Sequence, residues 1–85
     1  MSKFEKIIQK LLSGNDRNFE FNDLCNLLET LGFDNRIKGS HHIYFKEGIT
    51  EIINLQPINK KAKPYQVKQV RELLIKYKLI SFKDE

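Results

Sequence analysis

The feature that most constrains the fold is a change of hydrophobic spacing at Gly32. Before it, apolar residues recur every three or four positions, as on one face of a helix. After it come three short runs rich in aromatic and β-branched residues, a pattern typical of strands: Phe33–Lys38, His41–Lys46 and Ile49–Leu55. The short connections at residues 39–40 and 46–48 favour hairpins, and therefore an antiparallel meander.

Three segments outside these runs have helical spacing. The first, residues 2–13, opens with a capping box formed by Ser2 and Glu5. The second has Asn22 as its predicted N-cap. The third starts at Pro64, a residue that suits the first turn of a helix because it has no N–H to leave unpaired. The sequence therefore predicts an α+β fold, with helices on one face of a three-stranded antiparallel sheet and the other face open.

Length and composition predict one domain over residues 1–85. Eighty-five residues are too few for two cores, and 40% apolar with 31% charged residues is ordinary for a globular domain. The single cysteine, Cys25, cannot form an internal disulfide, and we interpret it as a small buried hydrophobe. No signal peptide or long apolar run is apparent, so we expect a soluble, cytoplasmic protein with no membrane contact.

The tetrapeptide Gly39-Ser40-His41-His42 contains both histidines of the chain and is a candidate active site. Imidazole is the side chain best suited to accept and donate protons near neutral pH. Strand alternation places His41 and His42 on opposite faces. They would therefore not both reach one reacting phosphate group, which argues against a two-histidine acid–base pair. We expect one of them to act as general acid or base while nearby cations stabilise the phosphate charge.

The same alternation predicts which histidine lies on the open face. If Ile43 and Phe45 pack against the helices, His41 lies on the core side and His42 shares the open face with Tyr44. A structural role for both histidines, one hydrogen-bonded in a turn and the other in solvent, remains the alternative. A metal site is disfavoured, because two adjacent histidines without a cysteine or a carboxylate within two residues make a poor ligand set. We expect no cofactor.

Positive charge is concentrated in the half of the chain that contains the histidines. Residues 1–35 carry four basic and six acidic side chains, a balance of −2, whereas residues 36–85 carry eleven and five, a balance of +6. Such a field attracts polyanions, most commonly nucleic acid, although lysine also maintains solubility. The predicted RNA contacts lie near the tetrapeptide and in the two segments after the third strand: Lys38, Ser40, Tyr44, Lys60, Lys61, Lys63, Lys68 and Arg71.

Two segments of the chain together resemble the HicA toxin family of toxin–antitoxin systems, also described as YcfA-like. One is Arg36–Tyr44, with the glycine–serine–histidine motif, and the other comprises Ile53–Pro57 and Ala62–Val67. The resemblance covers about residues 20–80. It implies a fold similar to the double-stranded-RNA-binding domain, a metal-independent ribonuclease activity on mRNA and neutralisation by a HicB partner.

The family motif also implies which histidine is catalytic. The histidine after the Gly-Ser pair transfers to His41, and His42 is the second choice. The motif does not explain the additional helix predicted for residues 2–13. The leading hypothesis is an mRNA-cleaving toxin, and the alternative is a non-catalytic RNA- or protein-binding module of the same fold.

Overall fold

The structure, a computed structural model, describes residues 2–80; Met1 and residues 81–85 of the predicted domain lie outside this part. The three helices are α1 (Lys3–Leu12), α2 (Phe21–Thr30) and α3 (Pro64–Lys76). The strands are β1 (Asp34–Lys38), β2 (His41–Lys46), β3 (Ile49–Leu55), β4 (Pro57–Ile58) and β5 (Lys61–Ala62). The first three strands form one antiparallel sheet in the order β1-β2-β3, and the last two form a separate hairpin. The predicted α+β class and the antiparallel meander are confirmed.

The start of α1 is confirmed and the start of α2 is not. Ser2 Oγ accepts a hydrogen bond from the Glu5 amide at 3.1 Å, and the Ser2 amide donates to Glu5 Oε1 at 3.2 Å, which completes the capping box. The N-cap of α2 is Glu20 rather than Asn22, and its side chain makes no capping bond. Instead, the first amide of the helix, on Phe21, donates to the Lys60 carbonyl at 3.1 Å. A tertiary backbone contact therefore replaces the expected cap.

The lysine-rich segment before α3 forms the β4–β5 hairpin, two short strands in addition to the three that the sequence predicted. Its two central residues, Asn59 and Lys60, have φ values of 49° and 67°, as a two-residue type I′ turn requires. The Ala62 amide donates to the Phe19 carbonyl at 2.8 Å, which joins the hairpin to the chain entering α2. The lysines of this segment are thus fixed against the start of α2.

The two faces of β2 are the reverse of the prediction. Tyr44 is only 1% exposed and lies opposite Ile53, and His42 lies opposite Leu55. His42 and Tyr44 therefore face the helices, and His41 lies on the open face. Both alternating sets of β2 contain large apolar residues, so this strand alone could not decide the burial. The buried residues of its partner β3 decide it.

One core joins the helices to the inner face of the sheet. Its fully buried members include Leu11, Phe19, Leu24, Leu27, Leu28, Tyr44, Ile53, Leu55, Val67, Val70 and Leu74. The predicted burial of Cys25 is confirmed. The additional helix, α1, packs on α2 and α3 and buries Ile7 and Leu11. Among the helices within residues 2–80, none is long and apolar enough to cross a membrane.

Candidate functional site

His41 is the first residue of β2 and is exposed on the open face of the sheet. It lies opposite Lys38 across the two-residue turn Gly39-Ser40. Gly39 has a φ of 62°, a left-handed conformation that glycine adopts at little cost. The Gly-Ser pair therefore turns the chain tightly enough to place a histidine and a lysine side by side at the end of the sheet.

Asn54 of β3 positions the His41 ring. Its Oδ1 lies 3.2 Å from His41 Nδ1, and Asn54 is the cross-strand partner of Ile43, two positions along β2. An amide oxygen can only accept a hydrogen bond, so this contact requires the hydrogen to be on Nδ1. In the neutral ring, Nε2 then keeps its lone pair and can accept a proton.

Gln66, in the first turn of α3, supports this arrangement from below the sheet. It is only 3% exposed; its Nε2 donates to the Asn54 carbonyl and its Oε1 accepts from the Gln56 amide, both at 3.3 Å. Gln56 in turn donates to Ser40 Oγ at 3.0 Å. One buried amide therefore holds both residues that contact the Ser-His pair.

Sequence reasoning assigned no role to Asn54, Gln56 or Gln66. All three lie in the segments that carried the family resemblance, 53–57 and 62–67, where only the His-containing segment was interpreted chemically. These segments are distant in sequence but adjacent in the fold, because β3 and the start of α3 meet behind the His41 turn. A polar residue between two buried residues, such as Asn54 between Ile53 and Leu55, was the available signal.

His42 lies on the opposite face of the sheet, as the alternation predicts. Its half-buried ring packs edge-to-face on Phe21, with centroids 4.9 Å apart and an interplanar angle of 80°. The irregularity of the sheet lies between Tyr44 and Lys46 and not at the Gly39-Ser40 turn. The two imidazoles are therefore placed in different environments.

Four of the predicted RNA-contacting lysines have no salt bridge within residues 2–80: Lys38, Lys60, Lys63 and Lys68. Lys38 is exposed opposite His41, and Lys63 is the N-cap residue of α3. Lys60 is exposed at the tip of the β4–β5 hairpin. These cations lie on β1, at the hairpin tip, and at or in α3, where none is paired with a carboxylate of the described residues.

Three other predicted contacts have partners within the protein. Lys61 pairs with Glu20, which lowers the pKa of that carboxyl. Arg71 donates to both carboxylate oxygens of Asp16, at 2.5 and 3.2 Å, and this pairing raises the pKa of the guanidinium.

Tyr44 is the third of these residues and belongs to the core. Its hydroxyl donates to Glu29 Oε2 at 3.0 Å. Burial, with hydrogen bonding to Cys25 and Glu29, raises its pKa well above the ordinary value for tyrosine. The expectation that Tyr44 lies on the open face is wrong, because its ring fills the space between the sheet and the helices. It is not available to stack on RNA.

The groups around His41 are the side-chain amides of Asn54 and Gln56, the Ser40 hydroxyl and Lys38. Within residues 2–80, no three histidine, cysteine or acidic side chains come together in a way that could hold a metal ion. The residues present are hydrogen-bonding and proton-transfer groups. They suit acid–base chemistry on an anionic substrate.

Comparison with known families identifies the family of this chain. The family model described as HicA toxin of bacterial toxin–antitoxin matches residues 21–76, from the start of α2 to the end of α3. No curated protein and no solved structure matches the chain. The match includes the Gly-Ser-His turn, Asn54 and Gln66, and excludes α1. With two thirds of its length matched, the chain belongs to the HicA family, the toxins of bacterial toxin–antitoxin systems.

Proposed function

We propose that this chain is a metal-independent endoribonuclease that cleaves mRNA, with His41 as its general acid and base. The observation that carries the proposal is the placement of His41, exposed on the open face with Nδ1 held by Asn54 at 3.2 Å. HicA toxins are generally mRNA-cleaving ribonucleases, which supports the same reaction here. The free Nε2 is the atom that would contact the reacting group.

The reaction follows from what one imidazole and one cation can do. His41 Nε2 accepts the proton of a ribose 2′-OH, whose oxygen forms a bond to the adjacent phosphorus. The bond from phosphorus to the 5′-oxygen breaks and leaves a 2′,3′-cyclic phosphate. The departing oxygen takes a proton from the imidazolium or from water, and Lys38, opposite His41, stabilises the phosphate charge.

The partner that we propose is a HicB-like antitoxin acting in the bacterial cytoplasm, where mRNA is found. Membership of a toxin–antitoxin family implies an antitoxin. Two large exposed apolar side chains favour a protein contact: Ile52, on the open face two positions before Asn54, is 62% exposed, and Tyr65, at the start of α3, is 64% exposed. The product of the adjacent reading frame should bind the toxin and stop RNA cleavage.

The reaction is tested with purified protein and a single-stranded RNA that it cleaves. A matched oligonucleotide with one deoxyribose at the cleaved step lacks the attacking 2′-OH. We expect cleavage at that step to stop and cleavage of the all-ribose control to continue in a chelator. Cleavage of the deoxyribose step would contradict 2′-OH attack, and loss of activity in the chelator would indicate a metal-dependent reaction.

The same assay separates the enzyme from a non-catalytic module. A module would bind the RNA, with an affinity that falls as salt rises, and would leave both oligonucleotides intact. Expression in bacteria gives a second readout, because a ribonuclease toxin should arrest growth and degrade mRNA. Growth without mRNA loss in cells that accumulate the folded protein would favour the module.

A further inference from the structure

We propose that a cavity beside His42 binds an unpaired nucleobase of the RNA substrate, next to the phosphate at which His41 acts. The inference rests on the ribonuclease proposed above and extends it to how the substrate is held. The cavity has a volume of about 430 Å³ and is lined by Phe21, Asn22, His42, Pro57 and Lys60. This volume lies within the range of roughly 300–1,000 Å³ found for small-molecule sites.

The lining groups match the chemistry of a nucleotide. The half-buried His42 ring is supported edge-to-face by the buried Phe21 ring, and a base can pack against the accessible part of His42. Asn22 is exposed in the first turn of α2, and its amide presents a donor and an acceptor together, as the edge of a base does. Lys60 supplies a positive charge for a phosphate.

The backbone fixes these groups relative to one another before any ligand binds. The Phe21 amide donates to the Lys60 carbonyl at 3.1 Å, which holds the hairpin tip against the start of α2. Glu20, the acidic residue beside this contact, is paired with Lys61, so its charge is compensated. Lys60 itself has no salt bridge in the part of the chain described. A preorganised site of this kind spends little binding energy on ordering.

The position of the cavity gives the two histidines different tasks. His41 and His42 are the first two residues of β2, and their side chains lie on opposite faces of the sheet. An RNA strand crossing the sheet end at Gly39-Ser40 can place a phosphate at His41 and a neighbouring base on the helix side, at His42. His42 would then be a positioning residue that determines which phosphate reaches His41.

The test measures binding of mononucleotides by NMR, so that it does not depend on cleavage. The probes are the four 5′-ribonucleotides and ribose 5-phosphate, which lacks the base. We expect at least one nucleotide to shift the side-chain signals of Asn22 and His42, and ribose 5-phosphate to leave them unchanged. Equal shifts by ribose 5-phosphate, or no shifts at these residues, would overturn the base site. The latter is also the result expected if the cavity receives a protein.

Two substitutions and two matched controls identify the contacts. Asn22→Ala and Lys60→Gln should each weaken nucleotide binding by about fivefold or more, since a single base or phosphate contact is worth that much. Asn26→Ala changes an exposed asparagine one turn further along α2, and Lys6→Gln an exposed lysine of α1, so neither should alter binding. Unchanged affinity in both Asn22→Ala and Lys60→Gln would refute the site.

Cleavage assays keep this proposal separable from the ribonuclease itself. With an RNA substrate, Asn22→Ala should raise KM or shift the cleaved positions while kcat changes by less than about threefold. If Asn22→Ala cleaves RNA with the wild-type KM and at the wild-type positions, the base site is refuted and the proposed ribonuclease is not. If the protein binds nucleotides at the cavity but leaves RNA intact, the proposed ribonuclease activity is refuted and the base site is not.

Discussion

The two faces of the sheet are built from similar residue types and differ in burial. On the helix side, Tyr44 is 1% exposed and Ile53 is fully buried. On the open side, Ile52 is 62% exposed and the exposed His41 is oriented by a hydrogen bond with Asn54. The helix side contains the core, and the open side carries His41, the group that we propose acts on RNA. Neighbouring residues of one strand therefore lie in different environments, and the predictions below test whether their roles differ as well.

The largest expected effect tests the burial of the helix side. Tyr44→Ala removes a fully buried ring and should lower the free energy of unfolding by about 3–5 kcal/mol, as for other large-to-small core changes. Ile52→Ala, on the open face of the neighbouring strand, should change it by about 0.5 kcal/mol or less. Urea unfolding followed by circular dichroism measures both. Equal losses of stability in the two variants would show that the helix side does not contribute more to stability than the open side.

A second test concerns the attachment of α1, the part of the helix side that lies outside the family match. Arg71 on α3 bonds to Asp16 and to the Leu11 carbonyl, and the Arg71 and Asp16 side chains are 15% and 20% exposed. Asp16→Asn should therefore cost about 1–3 kcal/mol of stability. Lys3→Ala breaks a longer, exposed pair with Asp23 at 3.7 Å, and is the control with an expected cost below about 1 kcal/mol.

A third test concerns the orientation of His41 on the open face. Asn54→Ala removes the group that holds Nδ1, so kcat for RNA cleavage should fall by roughly tenfold or more with little change in KM. Thr50→Ala, four residues earlier on the same strand and also exposed, is the matched control. A fall in stability equal to that of a core variant, or unchanged kcat, would contradict a positioning role for Asn54.

The smallest expected effect is a pH dependence of stability on the helix side. Hydrogen bonds from Lys76, at 2.7 Å, and Tyr77, at 2.5 Å, lower the pKa of Glu51 to about 2. A depressed carboxyl pKa contributes stability above the unfolded value, and that contribution is lost as the pH falls toward about 2. Unfolding midpoints of wild type and Glu51→Gln should differ at neutral pH and converge in acid. A constant difference would contradict the role of the ionised carboxylate.

The sequence predicted the order of elements well, because each long element carries its own periodicity and boundary residues. The capping box at Ser2 and Glu5 and the proline at the start of α3 are local signals, and both are confirmed. The N-cap of α2 and the β4–β5 hairpin were missed because they depend on each other, through the contact between Phe21 and Lys60. Local sequence patterns cannot predict a hydrogen bond between residues that are 39 positions apart.

The candidate site likewise combines local features, which the sequence reveals, with long-range contacts, which it does not. The turn residues Gly39-Ser40 and the adjacent histidines could be identified from the sequence, since they are contiguous. Which face each histidine occupies could not, because both alternating sets of β2 contain large apolar side chains and burial is decided by β3 and the helices. The salt bridge of Arg71 could not be predicted either, because its partner, Asp16, lies on a loop distant in the sequence.

The most direct test of the central claim compares His41→Ala with His42→Ala in single-turnover cleavage of RNA, with both variants shown to be folded by circular dichroism. Loss of a general acid–base group should slow His41→Ala by about 10²–10⁴-fold at saturating RNA. His42→Ala should retain its rate within about tenfold and require more RNA to reach it. A His41→Ala variant that cleaves at the wild-type rate, or a larger rate loss in His42→Ala, would contradict the division of roles between the two faces.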